Sequence, residues 1–166
     1  MSEALGAAAE ILAVLQRQGA TLAVAESLTG GSLAARITDV AGASTVFRGG
    51  VVAYAGDVKA TLLDVPVELL DRHGAVSAEV AEAMAVGARR RFCASYAVST
   101  TGVAGPGSQE DKAVGSVYVG CAGPVGVVSQ QLTLTGSRAD IRASTCTAAL
   151  DLLRRTLEAR GTPQHG

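Results

Sequence analysis

The chain has 166 residues, of which 48% are hydrophobic, and its 14 basic and 15 acidic residues give a net charge of −1. A chain of this length can bury a core without a disulfide or a metal, so we expect one domain over residues 1–166 with its core at about 3–160. The balanced charge offers no broad positive field to nucleic acid, and no apolar run reaches the roughly 18 residues of a membrane span, so we expect neither as a partner.

Cysteine and histidine are few and widely spaced. Cys93, Cys121 and Cys146 form no C-x-x-C pair, and the histidines are His73 and His165. A zinc site needs about four such ligands at recognisable spacing, so we expect no metal and no cofactor. The first residues lack the basic and then apolar profile of a signal peptide, which favours a cytoplasmic location.

The first elements are a helix, a strand and a second helix. Apolar residues recur with helical spacing after Ser2, and Gly19 is suited to ending this helix in a left-handed turn. The apolar run 21–25 predicts a short strand, and the helical period resumes at Leu33. Ser27 therefore falls at a strand-to-helix junction.

The middle of the chain alternates strands with helices. Gly49-Gly50 interrupts the first of these strands and indicates a bulge or a close backbone approach. Pro66 can open a helix and Ser77 can cap the next one. The predicted elements are a strand at 45–54, a helix at 57–63, a helix at 66–72, a longer helix after 77 and a strand at 94–101.

Two strands and a long helix follow. The segments 114–121 and 127–135 predict a hairpin, and Ser137-Arg138-Ala139-Asp140 matches a capping box at the start of the last helix. The tail after Gly161 should be loose. Alternating strands and helices with a late hairpin predict an α/β fold, in which helices cover both faces of a mixed sheet.

The segment Glu26 to Gly31 is the first of three candidate site segments, each of which joins glycine-rich backbone to reactive side chains at a strand end. The Ser27 hydroxyl lies beside the N–H groups of a starting helix, which can hold an anion or a developing oxyanion. The alternative is that Ser27 or Thr29 is simply the N-cap of that helix.

The second segment runs from Phe47 to Lys59. Tyr54 ends a strand and Lys59 lies in the following helix. A lysine on a helix is usually solvated, but a desolvated Lys59 can become a neutral base and activate a serine. Tyr54 is either a proton donor in that chemistry or an ordinary strand aromatic with its hydroxyl at the surface.

The third segment, Ser99 to Gly107, leaves a strand and enters a glycine-rich loop. Successive backbone N–H groups in such a loop can form a nest for phosphate. The loop carries neither the Walker lysine nor a complete G-x-G-x-x-G motif, so a plain turn is the alternative.

Together these segments resemble the CinA C-terminal domain family, the competence/damage-inducible proteins whose standalone members are nicotinamide-nucleotide amidohydrolases. The resemblance runs from about Leu12 to Leu157. It implies a three-layer α/β/α sandwich with a mixed, mostly parallel sheet, similar to anticodon-binding domains, and it leads us to expect a homodimer. The blocks that carry it are Ala25-Glu26-Ser27 with Thr29-Gly30-Gly31, Gly49-Gly50-Val51-Val52-Ala53-Tyr54 with Lys59, Arg72-His73-Gly74-Ala75-Val76-Ser77, and Thr101-Gly102-Val103-Ala104-Gly105-Pro106-Gly107.

The resemblance implies hydrolysis of the carboxamide of nicotinamide mononucleotide, a small-molecule nucleotide substrate, to nicotinate mononucleotide and ammonia. Ser27 would attack the amide carbon, Lys59 would take the serine proton, and Tyr54 would assist proton transfer to ammonia. The candidates for substrate and oxyanion contacts are Thr29, Gly30, Gly31, Gly49, Thr101, Gly102, Gly105 and Arg138, of which Arg138 and the backbone from Gly105 to Gly107 suit the phosphate.

Two alternative functions stay open at this point. One is a non-catalytic nucleotide-binding or regulatory domain, and the other is a Ser-Lys hydrolase that acts on another small amide. The loop from Gly107 to Ala113 is also shorter than is usual in the family, which bears on nucleotide preference.

Overall fold

The computed structural model describes residues 2–161, apart from the side chains of Ser2, Ala4 and Gly161. The tail after Gly161 and His165 lie outside the described residues. The helices are α1 (Ser2–Arg17), α2 (Ser32–Thr38), α3 (Gly56–Leu63), α4 (Val67–His73), α5 (Ala78–Arg91) and α6 (Arg138–Gly161), with a short 3-10 helix at Ala43–Thr45. The strands are β1 (Leu22–Glu26), β2 (Phe47–Val52), β3 (Tyr96–Gly102), β4 (Ser116–Gly123) and β5 (Gly126–Thr133).

The five strands form one sheet in the order β2-β1-β3-β4-β5. Strand β1 pairs in parallel with β2 and β3, whereas the pairs β3–β4 and β4–β5 are antiparallel. The predicted mixed sheet is therefore confirmed, with two parallel and two antiparallel pairings. The register between β1 and β2 shifts between Leu22 and Ala23, opposite Phe47 and Gly49, which agrees with the bulge predicted near the paired glycines.

Helices cover both faces of the sheet, and the alternation of side chains along β1 divides the core between them. Leu22 and Val24 pack into a large cluster with α1, α2 and α6. Ala23 and Ala25 pack on the other side with α3 and α5. All five residues of β1 are buried, as expected for a central strand that is covered on both faces.

The predicted helix starts at Ser77 and Ser137 are confirmed. The Val80 N–H donates to the Ser77 hydroxyl oxygen at 3.3 Å. At α6, the Asp140 N–H donates to the Ser137 hydroxyl oxygen at 3.2 Å, while the Ser137 N–H donates to the Asp140 carboxylate at 2.8 Å. These reciprocal bonds form a capping box and fix where α6 begins.

Within residues 2–161, no helix combines the length and the apolar character that crossing a membrane requires.

Gly87 sets the distance between α5 and α3. A methyl group at this position would lie 1.9 Å from the carbonyl oxygen of Leu63. The Leu63 oxygen belongs to the backbone, and a Cβ has no torsion by which it could move away, so the clash can be relieved only by moving the helices apart. We expect Gly87→Ala to lower the free energy of unfolding by about 1–3 kcal/mol or more, measured by urea denaturation.

Gly6→Ala is the matched control for Gly87→Ala, since Gly6 also lies in a helix and a methyl group there meets no atom of the described residues within 4 Å. Alanine has the higher helix propensity, so this change should stabilise the protein by up to about 1 kcal/mol. Similar effects at the two positions would contradict the close approach at Gly87.

Candidate active site

The topology gathers the three candidate segments at one edge of the sheet. Strands β1, β2 and β3 are parallel neighbours, so their carboxyl ends lie side by side, with Glu26 paired to Val52 on one side and to Thr100 on the other. The segments that follow these strands carry Ser27, Lys59 and the glycine-rich loop. An edge formed in this way is where open α/β sheets bind ligands.

Ser27 and Lys59 are in contact. The Lys59 Nζ lies 3.0 Å from the Ser27 Oγ, and it donates to the carbonyl oxygens of Ala53 at 2.9 Å and Tyr54 at 3.2 Å. Lys59 is 1% exposed and Ser27 is 7% exposed. An ammonium donates to all three of these oxygens, whereas a neutral amine keeps two N–H donors for the carbonyls and a lone pair that can accept the Ser27 proton. The site therefore holds a serine hydroxyl within proton-transfer distance of a buried lysine.

The charge state of Lys59 is perturbed by its surroundings. Burial lowers the pKa of Lys59 from 10.5 to about 8, and the negative charge of Glu110 partly opposes this shift. Desolvation favours the neutral form of an amine because the charged form loses hydration. The fraction of neutral amine near pH 7 is thus much larger than for a solvated lysine.

The backbone of Ser27 is fixed by β3. Its N–H donates to the Thr100 carbonyl oxygen at 3.0 Å and lies 3.3 Å from the Thr100 hydroxyl, which bonds to the Thr29 hydroxyl at 2.8 Å. The N-cap of α2 is Gly31, and no side chain of Ser27 or Thr29 caps the helix. The alternative interpretation of these two residues as N-caps is therefore wrong.

Glu26 fulfils the capping role instead, which the sequence analysis did not find. Its buried carboxylate accepts from the N–H groups of Gly31 at 3.2 Å, Leu33 at 2.9 Å and Ala34 at 3.0 Å. A carboxylate at a helix N-terminus is favoured by both the free N–H groups and the helix dipole. Glu26 thereby anchors the start of α2 directly behind the serine.

The backbone N–H groups from Thr29 to Gly31 were the predicted oxyanion donors, and the structure corrects this prediction for Gly30 and Gly31. The Gly31 N–H is bound to Glu26, and the Gly30 N–H donates to the Ser27 carbonyl oxygen at 3.0 Å. Among the described residues, the N–H groups of Leu28 and Thr29 have no hydrogen-bond acceptor. Leu28 lines the same cavity as Ser27, whereas Thr29 is fully buried and does not. Where a nucleophile lies between a strand and a helix, the backbone N–H of the next residue is the usual donor to the oxyanion.

A cavity of about 130 Å³ opens beside Ser27 and Lys59. Its walls come from the ends of β1 and β3, from the segment at Ala75-Val76 and from the glycine-rich loop, and Arg138 lines it as well. Pockets for drug-sized ligands usually measure roughly 300–1,000 Å³. The enclosed part therefore suits a small group, and a larger ligand has to extend toward solvent.

Tyr54 and Arg138 meet at this cavity. The side chain of Tyr54 is 59% exposed, and its hydroxyl lies 3.0 Å from the Arg138 Nη2. The Nη1 of Arg138 donates to the carbonyl oxygen of Gly105 at 2.5 Å. One guanidinium thus joins a phenol, the glycine-rich loop and the start of α6, and it brings a fixed positive charge to the cavity.

The model of the CinA C-terminal domain family matches residues 5–157. The chain belongs to this family. It is 54% identical over 147 residues to a CinA-like protein of Frankia casuarinae, a match that covers 89% of this chain and 34% of that protein, and 50% identical over 145 residues to a CinA-like protein of Mycobacterium avium, with 84% and 33% covered. This CinA domain spans about a third of the length of these curated relatives.

Solved structures of CinA proteins share the fold. The competence/damage inducible protein CihA of Agrobacterium tumefaciens is 36% identical with a TM-score of 0.89, over 93% of this chain and 95% of that one. A CinA superfamily protein of Klebsiella pneumoniae is 28% identical with a TM-score of 0.91, over 94% and 98% of the two chains. These matches agree with the three-layer arrangement described above.

The remaining glycine and threonine candidates of the CinA domain divide into two groups. Thr101, Gly102 and Gly105 line the cavity. The Thr101 hydroxyl donates to the Ala75 carbonyl oxygen at 2.7 Å and so ties the cavity wall to β3. Gly49 does not line the cavity, and a methyl group there would lie 3.0 Å from the ring of Phe92. The prediction that Gly49 contacts the substrate is therefore wrong. Its role is to allow the ring of Phe92 to pack closely against β2.

Glu110 is a second residue that the sequence analysis of the CinA domain missed. The backbones of Gln109 and Lys112 exchange two hydrogen bonds, which places Glu110 and Asp111, with φ of 50° and 59°, in a tight two-residue turn. The Glu110 carboxylate accepts from the Val76 N–H at 3.4 Å. The turn is thereby fastened to the cavity wall, where its negative charge acts on Lys59.

Proposed function

We propose that the chain hydrolyses the carboxamide of nicotinamide mononucleotide to nicotinate mononucleotide and ammonia through a Ser-Lys mechanism. The observation that carries this proposal is the 3.0 Å contact between the Ser27 Oγ and the Nζ of the buried Lys59. Serine activated by a neutral lysine is a known solution for acyl transfer. Membership of the CinA C-terminal domain family supports the choice of substrate through the resemblance described above.

The first half of the reaction forms an ester. The Ser27 Oγ attacks the carboxamide carbon while its proton passes to the Lys59 Nζ, and the carbonyl oxygen becomes an oxyanion. The free N–H of Leu28 is suited to stabilising that oxyanion, an effect worth about 3–4 kcal/mol for a well-placed donor. Collapse of the tetrahedral intermediate breaks the C–N bond, and the proton on Lys59 goes to the departing ammonia with the help of Tyr54.

The second half regenerates the serine. A water molecule gives a proton to Lys59 and attacks the ester carbon, and the second intermediate expels the Ser27 Oγ, which takes that proton back from Lys59. The product is released as a carboxylic acid, which loses its remaining proton to water and becomes the carboxylate. At the cavity wall, Arg138 supplies a guanidinium for the phosphate of the mononucleotide, since its planar fork matches phosphate oxygens.

The direct test is an ammonia assay on the purified protein after treatment with a chelator. We expect ammonia and nicotinate mononucleotide in equal amounts from nicotinamide mononucleotide. Ammonia from other small carboxamides alone would assign the same Ser-Lys chemistry to a different substrate. Binding of the mononucleotide without ammonia release would instead select a nucleotide-binding domain.

Glu110→Gln tests the electrostatics of Lys59. The charge of Glu110 raises the pKa of Lys59 against the larger effect of burial, which brings it to about 8. Without that charge the pKa falls, so more of the amine is neutral and able to act as a base at pH 7. We expect the rise of kcat/KM with pH to shift to lower pH, with a gain of up to about fivefold at pH 7.

Asp111→Asn is the control for this shift, because Asp111 is the neighbouring carboxylate in the same turn. It is not among the charges that set the pKa of Lys59, so its loss should leave the pH midpoint in place. Equal shifts in the two variants would indicate a change in the loop rather than an effect of the Glu110 charge.

A further inference from the structure

The side chain of Arg142 crosses from α6 to the turn that carries the candidate nucleophile. Its Nε donates to the Leu28 carbonyl oxygen at 2.9 Å, and its Nη2 donates to the Thr29 carbonyl oxygen at 3.0 Å and lies 3.3 Å from the Ser32 hydroxyl. A planar guanidinium can hold two acceptors in fixed directions, which the single ammonium of a lysine cannot do.

Hydrogen bonds hold both ends of this turn. On its N-terminal side, the Ser27 N–H is bound to Thr100 on β3. On its C-terminal side, the Gly30 N–H donates to the Ser27 carbonyl oxygen at 3.0 Å and the Ser32 N–H donates to the Thr29 carbonyl oxygen at 2.9 Å. Among the described residues, the Leu28 carbonyl oxygen between them accepts from Arg142 alone, so Arg142 fixes the peptide group that the other bonds leave free.

Arg142 is placed to act on the serine without touching a ligand. It is not among the residues that line the cavity, whereas Arg138, one helical turn earlier, lines it. Leu28, whose carbonyl Arg142 holds, follows Ser27 directly and carries the free N–H beside the cavity. The peptide group that Arg142 holds is joined through the Leu28 Cα to the peptide group that carries this N–H and follows Ser27, so a shift of the held carbonyl is passed on to both.

We propose that Arg142 is a positioning residue, which holds the Ser27 Oγ at proton-transfer distance from Lys59 by fixing the carbonyls of Leu28 and Thr29. This inference rests on the proposed Ser-Lys chemistry. A misplacement of reacting groups by about 1 Å can cost 10²-fold in rate, so a change at Arg142 acts on turnover. Ligand affinity stays near its original value because the cavity wall is unaltered.

The test compares Arg142→Gln with Arg36→Gln. Arg36 on α2 donates to the Thr147 hydroxyl at 2.9 Å and to the Ala143 carbonyl oxygen at 3.0 Å, so it joins α2 to α6 without touching the turn. The readouts are the rate at which a phosphonofluoridate probe labels Ser27, and kcat and KM for nicotinamide mononucleotide. A thermal melt of each variant verifies folding.

For Arg142→Gln we expect labelling and kcat to fall about 10²-fold, with KM changed by no more than about twofold. The labelling rate and the kcat of Arg142→Lys should lie between those of Arg142→Gln and the wild type, since an ammonium donates well to one carbonyl at a time. Arg36→Gln should match the wild type in every readout. This pattern separates a positioned serine from a general weakening of the packing between α2 and α6.

Several outcomes would overturn the proposal. They are labelling of Arg142→Gln at the wild-type rate, an equal fall in Arg36→Gln, and a rise in KM with kcat unchanged. If Arg142→Gln does not fold, a folded Arg142→Lys protein that the probe labels at the wild-type rate also overturns the proposal. Labelling of the wild type without ammonia release refutes the proposed substrate alone, whereas a wild type that the probe does not label refutes both proposals.

Discussion

Replacement of Ser27 by alanine is expected to lower kcat by about 10⁴-fold or more while the protein stays folded. The reason is that the other hydroxyls near the cavity, among the described residues, are engaged in hydrogen bonds. The hydroxyls of Thr29 and Thr100 are bonded to each other at 2.8 Å, and Thr29 is fully buried. The hydroxyl of Thr101 donates to the Ala75 carbonyl oxygen at 2.7 Å, and that of Tyr54 accepts from Arg138 at 3.0 Å. The Ser27 backbone bond to Thr100 survives the change, so the loss of one hydroxyl should cost only about 1 kcal/mol of stability.

The measurement is ammonia release under saturating substrate, together with mass spectrometry of the protein for an acyl adduct. Ser144→Ala is the matched control, because it removes a hydroxyl from an exposed position of α6 that does not line the cavity. This control should keep full activity and form the same adduct as the wild type. A folded Ser27→Ala protein that retains a tenth of the wild-type rate would contradict the nucleophilic role of Ser27.

The order of elements could be predicted because each one has a local cause. Alternating buried residues, capping side chains and glycines in left-handed turns act over a few positions, as at Ser77 and Ser137. The strand-to-helix junction at Ser27 follows from the same local rules. The position of Ser27 directly after a strand was therefore accessible from the sequence.

The contact between Ser27 and Lys59 was accessible only through the family resemblance. The two residues are 32 positions apart, and what joins them is the parallel pairing of β1 with β2 followed by the turn into α3. From the residues alone, capping a helix was the favoured interpretation of Ser27, and a solvated helix face was the favoured interpretation of Lys59. Burial of an amine is a property of the assembled fold and has no local signature.

The same limit explains the errors at the helix N-terminus and in β2. The N–H groups of α2 looked available because nothing in the pattern assigns the carboxylate of Glu26 to a helix that starts after a turn. Gly49 looked functional because a glycine can mark either a ligand contact or a place where another part of the protein packs close to the backbone. At Gly49 the close neighbour is the ring of Phe92. The bond from Arg142 to Leu28 spans 114 positions, and only the packing of α6 on α2 brings it about.

Replacement of Lys59 by arginine is expected to lower kcat/KM by about 10²–10⁴-fold, the usual contribution of a general base. A guanidinium stays protonated at all accessible pH and cannot take the serine proton. In the wild type, the neutral form of Lys59 increases as the pH rises through its lowered pKa of about 8, so kcat/KM should rise with pH and level off above it. The measurement is the pH profile of kcat/KM for both proteins.

Lys112→Arg is the control for Lys59→Arg, since Lys112 also donates to a backbone carbonyl, that of Val76 at 2.8 Å, but lies outside the cavity lining. Its pH profile should coincide with that of the wild type. An active Lys59→Arg enzyme would exclude Lys59 as the base. A midpoint near 10.5 in the wild type would mean that the amine is solvated when substrate binds, and then the 3.0 Å contact with Ser27 has no catalytic consequence.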